Sequence, residues 1–165
     1  MIRKTGEGYE IVFVRRLKKP IEKVWAALTI PERIADWLAV ARIEPDLGVG
    51  ATFALHFPDT LDYRMSGRIV ALEPPRLIVW TWPDPNAPAS QPGVVRFELQ
   101  PDGEGCVLTL TNSHLASTGL EDVAAGWHTH LEGLAGAVEG IRTRWSTERE
   151  RIHAAHYRSV LPSIG

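Results

Sequence analysis

Leu120-Glu-Asp-Val123-Ala-Ala-Gly126-Trp127-His128-Thr-His130-Leu131-Glu-Gly-Leu134-Ala-Gly-Ala-Val138 is the stretch that decides the fold. Its bulky apolar residues (Leu120, Val123, Trp127, Leu131, Leu134, Val138) recur in steps of three and four. At about 100° per residue they lie within about 40° of one line, a single apolar stripe on an α-helix. Nearly everything before that helix alternates like β-structure. One long C-terminal helix beside one antiparallel sheet is an α+β arrangement, and a sheet curved around a helix leaves room for a cavity between them.

Seven strands are expected. The first runs from Glu10 to Leu17; the others are Val40–Glu44, Ala51–Phe57, Tyr63–Leu72, Arg76–Trp82, Val94–Leu99 and Val107–Thr111. Turn residues separate them: Pro45-Asp-Leu-Gly48, Pro58-Asp-Thr60, Pro74-Pro75 and Asp102-Gly-Glu-Gly105. Between the first two strands, Pro20 suits the start of a short helix whose inner face carries Val24, Trp25 and Leu28. Pro31 ends that helix and opens a second, running to about Trp37. Residues 83–93 hold four prolines, so they form a surface loop. Both a lid over a pocket and a tolerated insertion fit it.

Composition narrows the class of function. The chain has 165 residues, 44% of them hydrophobic, enough for one domain with a real core. A net charge of −2 gives no reason to expect nucleic acid as a partner. The charge is nevertheless uneven. Residues 141–165 hold five Arg against two Glu, so this basic extension carries +3 and the body carries −5. A helix there is expected to dock on its own acidic body or on a second copy in a homodimer. The domain proper is expected to span 1–140. Cys106 is the only cysteine, the N-terminus lacks an apolar signal core, and no run is apolar enough to span a membrane. A soluble, cytoplasmic protein is the expectation.

Strand alternation sorts the aromatic side chains. Phe53, Tyr63, Met65, Trp80, Trp82 and Phe97 fall on faces that should meet the long helix. With Trp25, Trp37, Trp127 and Leu131 they are candidate linings for a small hydrophobic or aromatic ligand, although the same rings would also serve as solid core. His128 and His130 flank the helical stripe at about +100° and −60° from Trp127. Their spacing of two does not bring both rings to one ion, and His153 and His156 have no partners in sequence to complete a site. No metal and no cofactor is expected. No nucleophile elbow or phosphate-binding glycine loop is present.

Several ordered segments resemble a known family. They are Arg15-Arg-Leu-Lys-Lys-Pro20-Ile-Glu-Lys-Val24-Trp25-Ala-Ala-Leu28-Thr-Ile-Pro31-Glu-Arg-Ile-Ala-Asp-Trp37, Val49-Gly-Ala-Thr-Phe53, Gly67-Arg-Ile-Val-Ala-Leu-Glu-Pro-Pro-Arg-Leu77, Trp80-Thr-Trp82 and Gly126-Trp-His-Thr-His-Leu131-Glu-Gly-Leu134. The set is similar to the homologues of the activator of the 90-kDa heat-shock protein ATPase, within the START-like, birch-pollen-allergen-like superfamily. The resemblance implies a helix-grip fold: a seven-stranded antiparallel sheet curved around the C-terminal helix, with two short helices closing one end. It also implies a hydrophobic pocket for a lipid-like, polyketide-like or aromatic ligand. Asn112 departs from the pattern, because family members often carry His there. The resemblance implies no reaction, since carriers, receptors, cyclases and co-chaperones share the scaffold. An enzyme of cyclase, dehydratase or hydrolase type would need Tyr63, Asn112, His128 or His130 in the pocket. A co-chaperone acting on a heat-shock ATPase is the third reading.

Overall fold

A computed structural model describes residues 1–60, 62–83 and 91–161. Positions 84–90 of the expected proline-rich loop lie outside them. The chain forms strands β1 (Ile2–Thr5) and β2 (Gly8–Leu17), helices α1 (Ile21–Thr29) and α2 (Pro31–Ile34), and strands β3 (Val40–Glu44), β4 (Thr52–Phe57), β5 (Tyr63–Glu73), β6 (Leu77–Trp82), β7 (Gly93–Asp102) and β8 (Gly105–Leu115). Helices α3 (Leu120–Val138) and α4 (Thr147–Val160) complete it. One antiparallel sheet runs in the order β1-β2-β8-β7-β6-β5-β4-β3.

The sheet therefore has eight strands where seven were expected. The addition is β1, an edge strand of four residues of which only Ile2 is buried. With three exposed neighbours it shows no apolar alternation, the signal by which a strand is recognised in sequence.

Contacts across α3 reveal the sheet's curvature. His128 meets Phe13 of β2, while His130 meets Phe57 of β4, each at 5.7–5.8 Å between ring centres. Those strands stand five places apart, which would be about 24 Å in a flat sheet. A helix about 10–12 Å wide reaches both only if the sheet bends around it. Trp127 points into the bend and is 4% exposed.

Alternation governs the strands with two interruptions. On β5, Met65, Gly67 and Ile69 face inward, and a bulge after Ile69 then shifts the register against β6. Gly67 is obligatory here: a Cβ would sit 1.7 Å from the Thr81 carbonyl oxygen. On β8, His114 adopts φ 59, so the inward positions step from Asn112 to Leu115.

Helix α3 ends in a Schellman motif. Gly140 adopts φ 86, its N–H bonds the Ala137 carbonyl at 3.0 Å, and the Ile141 N–H bonds that of Gly136 at 2.9 Å. The chain reverses there, so α4 returns along α3. Ser146 caps α4 by accepting from the Arg149 N–H at 3.2 Å. Three basic side chains of this segment pair with the acidic body of the same chain: Arg142 with Asp36, Arg149 with Glu132 and Arg158 with Asp122. Among the described residues, no helix is long and apolar enough to cross a membrane.

Candidate functional site

Two cavities open beside α3, on its His130 side. The first, about 370 Å³, is an apolar chamber whose walls are Phe57 from β4, Tyr63 from β5, Trp82 from β6, and Asn112 and Leu115 from β8. Val123, Gly126, Trp127 and His130 of α3 close it from the other side. The second, about 610 Å³, is more polar and lies between Trp37, the Phe57–Thr60 turn, and the 142–149 segment. Phe57, Thr60, His130 and Trp145 line both cavities, so together they form one cleft with an apolar lobe and a basic lobe. Trp145, carried by the segment after Gly140, lies tilted against His130 at 4.5 Å and marks the junction.

Local backbone accounts for this opening. The β8 irregularity at His114 turns Leu115 into the chamber beside Asn112. Gly126 contributes space: nothing lies within 4 Å of where its Cβ would stand. Asn112 is 3% exposed and ties β8 to β7 and α3, donating through Nδ2 to the Val94 carbonyl at 3.1 Å and accepting from Trp127 Nε1 at 2.9 Å.

His130 is the titratable group at the junction. Its Nδ1 lies 3.2 Å from the Trp37 carbonyl, which can only accept, so Nδ1 carries the proton and Nε2 keeps the lone pair. Burial holds this imidazole at about 4 against the opposing pull of that carbonyl, so the ring is neutral at pH 7.

His128 faces the other way. It lies on the β2 and α4 side, its ring stacked on His153 at 3.8 Å and 10°, with Nδ1 3.0 Å from the Tyr157 hydroxyl. Burial first, then the neighbouring His153 and Arg15, hold it at about 4. His128, Glu132 and His153 bring possible ligand atoms within 4.8 Å of one another. However, an ion between two nearly parallel, stacked rings would lie outside both ring planes, away from the nitrogen lone pairs. Glu132 also already meets Arg149 at 3.4 Å. His153 Nε2 sits 3.3 Å from Glu132 at an angle that makes no hydrogen bond. The arrangement suits a side-chain bridge between α3 and α4.

Of the residues expected to line a cavity, Trp37, Tyr63, Trp82, Asn112 and Trp127 do so. Phe53, Trp80 and Phe97 do not: they stack in series at 4.5 and 5.3 Å and are at most 1% exposed, a solid core. Met65 and Leu131 are likewise packed in the core. Trp25 is half-buried on α1, and His128 belongs to the α3–α4 junction. Inward alternation is thus not sufficient; only positions toward one end of the sheet, past the reach of the packed rings, border open space. Trp145, Arg142 and Arg144 were missed because they lie in the extension, where no periodicity links them to the sheet. Cys106 is buried and burial raises its thiol pKa, which suits packing and not nucleophilic chemistry.

The bent sheet gripping one helix, opened by two short helices, agrees with comparison to known proteins. The family described as Activator of Hsp90 ATPase homolog 1-like protein matches residues 18–139. The chain belongs to this family. Its helix-grip architecture extends to solved structures. CalU16 from Micromonospora echinospora superposes with a TM-score of 0.75 at 25% identity, covering 98% of this chain and 94% of its own. The protein encoded by BPP1335 from Bordetella parapertussis gives 0.74 at 32% identity, with 90% and 84% covered. DynU16, a protein of the dynemicin biosynthetic locus, gives 0.70 at 22% identity over 82% of this chain and 49% of its own, a likeness of fold alone. Among curated proteins, none matches the chain.

Proposed function

We propose that this family member binds a small apolar or aromatic molecule in the cleft between the sheet, α3 and the 141–147 segment. The observation that carries this reading is the apolar lobe itself. Trp82 and Trp127 stand edge to face at 5.1 Å, and Phe57, Leu115 and Val123 add apolar wall around about 370 Å³ of open space. That volume falls in the range of small-molecule sites, and aromatic walls with a few polar groups match their usual make-up. Asn112 has its oxygen and one N–H committed within the fold, and His130 adds an imidazole to the wall. In this reading, residues 142–150 complete the domain by walling the cleft.

Phenylnaphthylamine, an uncharged fluorescent aromatic, tests the proposal. Its emission should rise saturably with one site per chain, and Gly126→Leu, which projects into the lobe, should abolish the rise. Absence of saturable binding by the wild-type protein would sink the reading.

A second reading, an enzyme of cyclase, dehydratase or hydrolase type, gains one specific observation. His130 is neutral, oriented by a backbone carbonyl and set in the cleft wall, the placement of a general base, though burial that holds it at about 4 makes it a weak one. It would act by accepting a proton from a bound hydroxyl or carbon acid. Loss of turnover in His130→Gln with ligand binding retained would support it.

A further inference from the structure

The basic lobe is a different chemical environment from the chamber it joins. Arg142, Arg144 and Arg149 all border it, carried on the segment that follows the Gly140 reversal and on the first turn of α4. Two of them are already held by carboxylates, Arg142 by Asp36 at 2.9 Å and Arg149 by Glu132 at 3.4 Å. Arg144 has no acidic partner among the described residues, and its side chain is exposed at the mouth. At the far end of the apolar lobe the border is formed instead by two carboxylates, Glu150 and Asp122, the latter paired with Arg158 at 3.4 Å. Asp59 of the Phe57–Thr60 turn also borders the basic lobe, where three guanidinium groups outnumber it, so the lining runs from carboxylates through aromatic rings to a mainly cationic end.

Resting on the small-molecule reading above, we infer that the ligand is an amphipathic anion. Its aromatic or apolar body occupies the Trp82–Trp127 lobe, and its carboxylate, sulfonate or phosphate group reaches Arg144 past Trp145. A planar guanidinium with free N–H groups matches a two-oxygen anion, and an anion at the other end would face Asp122 and Glu150. The arginine already paired with Glu132 adds positive potential without offering its best donors. The lining thus favours an anionic group at Arg144 over one at the Glu150 end of the cleft.

A matched pair of fluorescent probes separates this inference from the reading on which it rests. Anilinonaphthalene sulfonate and phenylnaphthylamine share one aromatic body and differ by the anionic group. The wild-type protein should bind the sulfonate about tenfold more tightly, as one charge-assisted contact at a partly exposed site provides. The preference should shrink as salt is raised. Arg144→Gln should remove most of that preference, and Arg144→Glu should invert it, while phenylnaphthylamine affinity and the melting temperature stay at wild-type values. Equal affinities for the two probes, or a preference untouched by either substitution, would overturn the anionic end and leave the apolar site standing. Failure of both probes to bind would overturn both.

Discussion

Trp127 Nε1 donates to Asn112 Oδ1 at 2.9 Å, tying the centre of α3 to β8 at the floor of the chamber. Both partners are nearly inaccessible to water, so neither can find a substitute. Asn112→Ala should cost about 2–4 kcal/mol by orphaning the indole N–H and the Val94 carbonyl together. Trp80 provides the control: its buried Nε1 has no hydrogen-bond partner among the described residues. Trp80→Phe should cost about 1–2 kcal/mol, since removing an unpaired buried donor offsets part of the cavity the smaller ring leaves. Denaturant titration of the two variants should reproduce that order; the reverse order would show that the bond is dispensable.

Gly126 separates stability from binding. Gly126→Ala should stabilise the helix by about 0.5–1 kcal/mol, because its Cβ meets nothing. Gly126→Leu should keep the fold and fill the apolar lobe. Thermal melts and probe titration together check this, and undiminished binding by the Leu variant would place the ligand elsewhere.

Gly67 makes the opposite case. An alanine methyl there would stand 1.7 Å from the Thr81 carbonyl oxygen, so Gly67→Ala must push β5 from β6. A loss of about 3 kcal/mol or more is expected, read as a fall in denaturation midpoint.

Acid should loosen the α3 junctions. His128 and His130 titrate near 4 in the folded chain and near 6.5 when unfolded. A base whose folded value is depressed favours the native state above the unfolded value. As pH falls from 6.5 toward 4 the unfolded chain takes up protons that the native chain refuses, so stability declines through that window and levels below it. The slope is at most about 1.4 kcal/mol per pH unit per group, and less at His128, which solvent partly screens. His130→Gln should flatten the curve of denaturation midpoint against pH; an unchanged slope would mean the ring is free to protonate in place.

Helix α4 should matter to both properties. A chain ending at Gly140 loses Trp145, the Tyr157–His128 bond and the cover over Phe13. Lower melting temperature and lost probe binding are expected. Wild-type values in both would make the extension an appendage.

The legible part of this protein was periodic. The three-and-four spacing of α3, the alternation of seven strands and the proline-marked pair of short helices each follow from local rules, and each names a buried face. The eighth strand escaped, since one buried residue in four carries no period.

What tertiary structure decided was which inward-facing rings touch each other and which face emptiness. Phe53, Trp80 and Phe97 alternate as cleanly as Trp82, yet the first three stack solid and Trp82 borders the chamber. His128 and His130 are two residues apart, yet one bridges to α4 and the other divides the cleft. Such outcomes depend on how far a bent sheet stands from the helix at each point and on where a distant segment such as 141–147 returns. Those are sums of long-range packing that no local window of sequence contains.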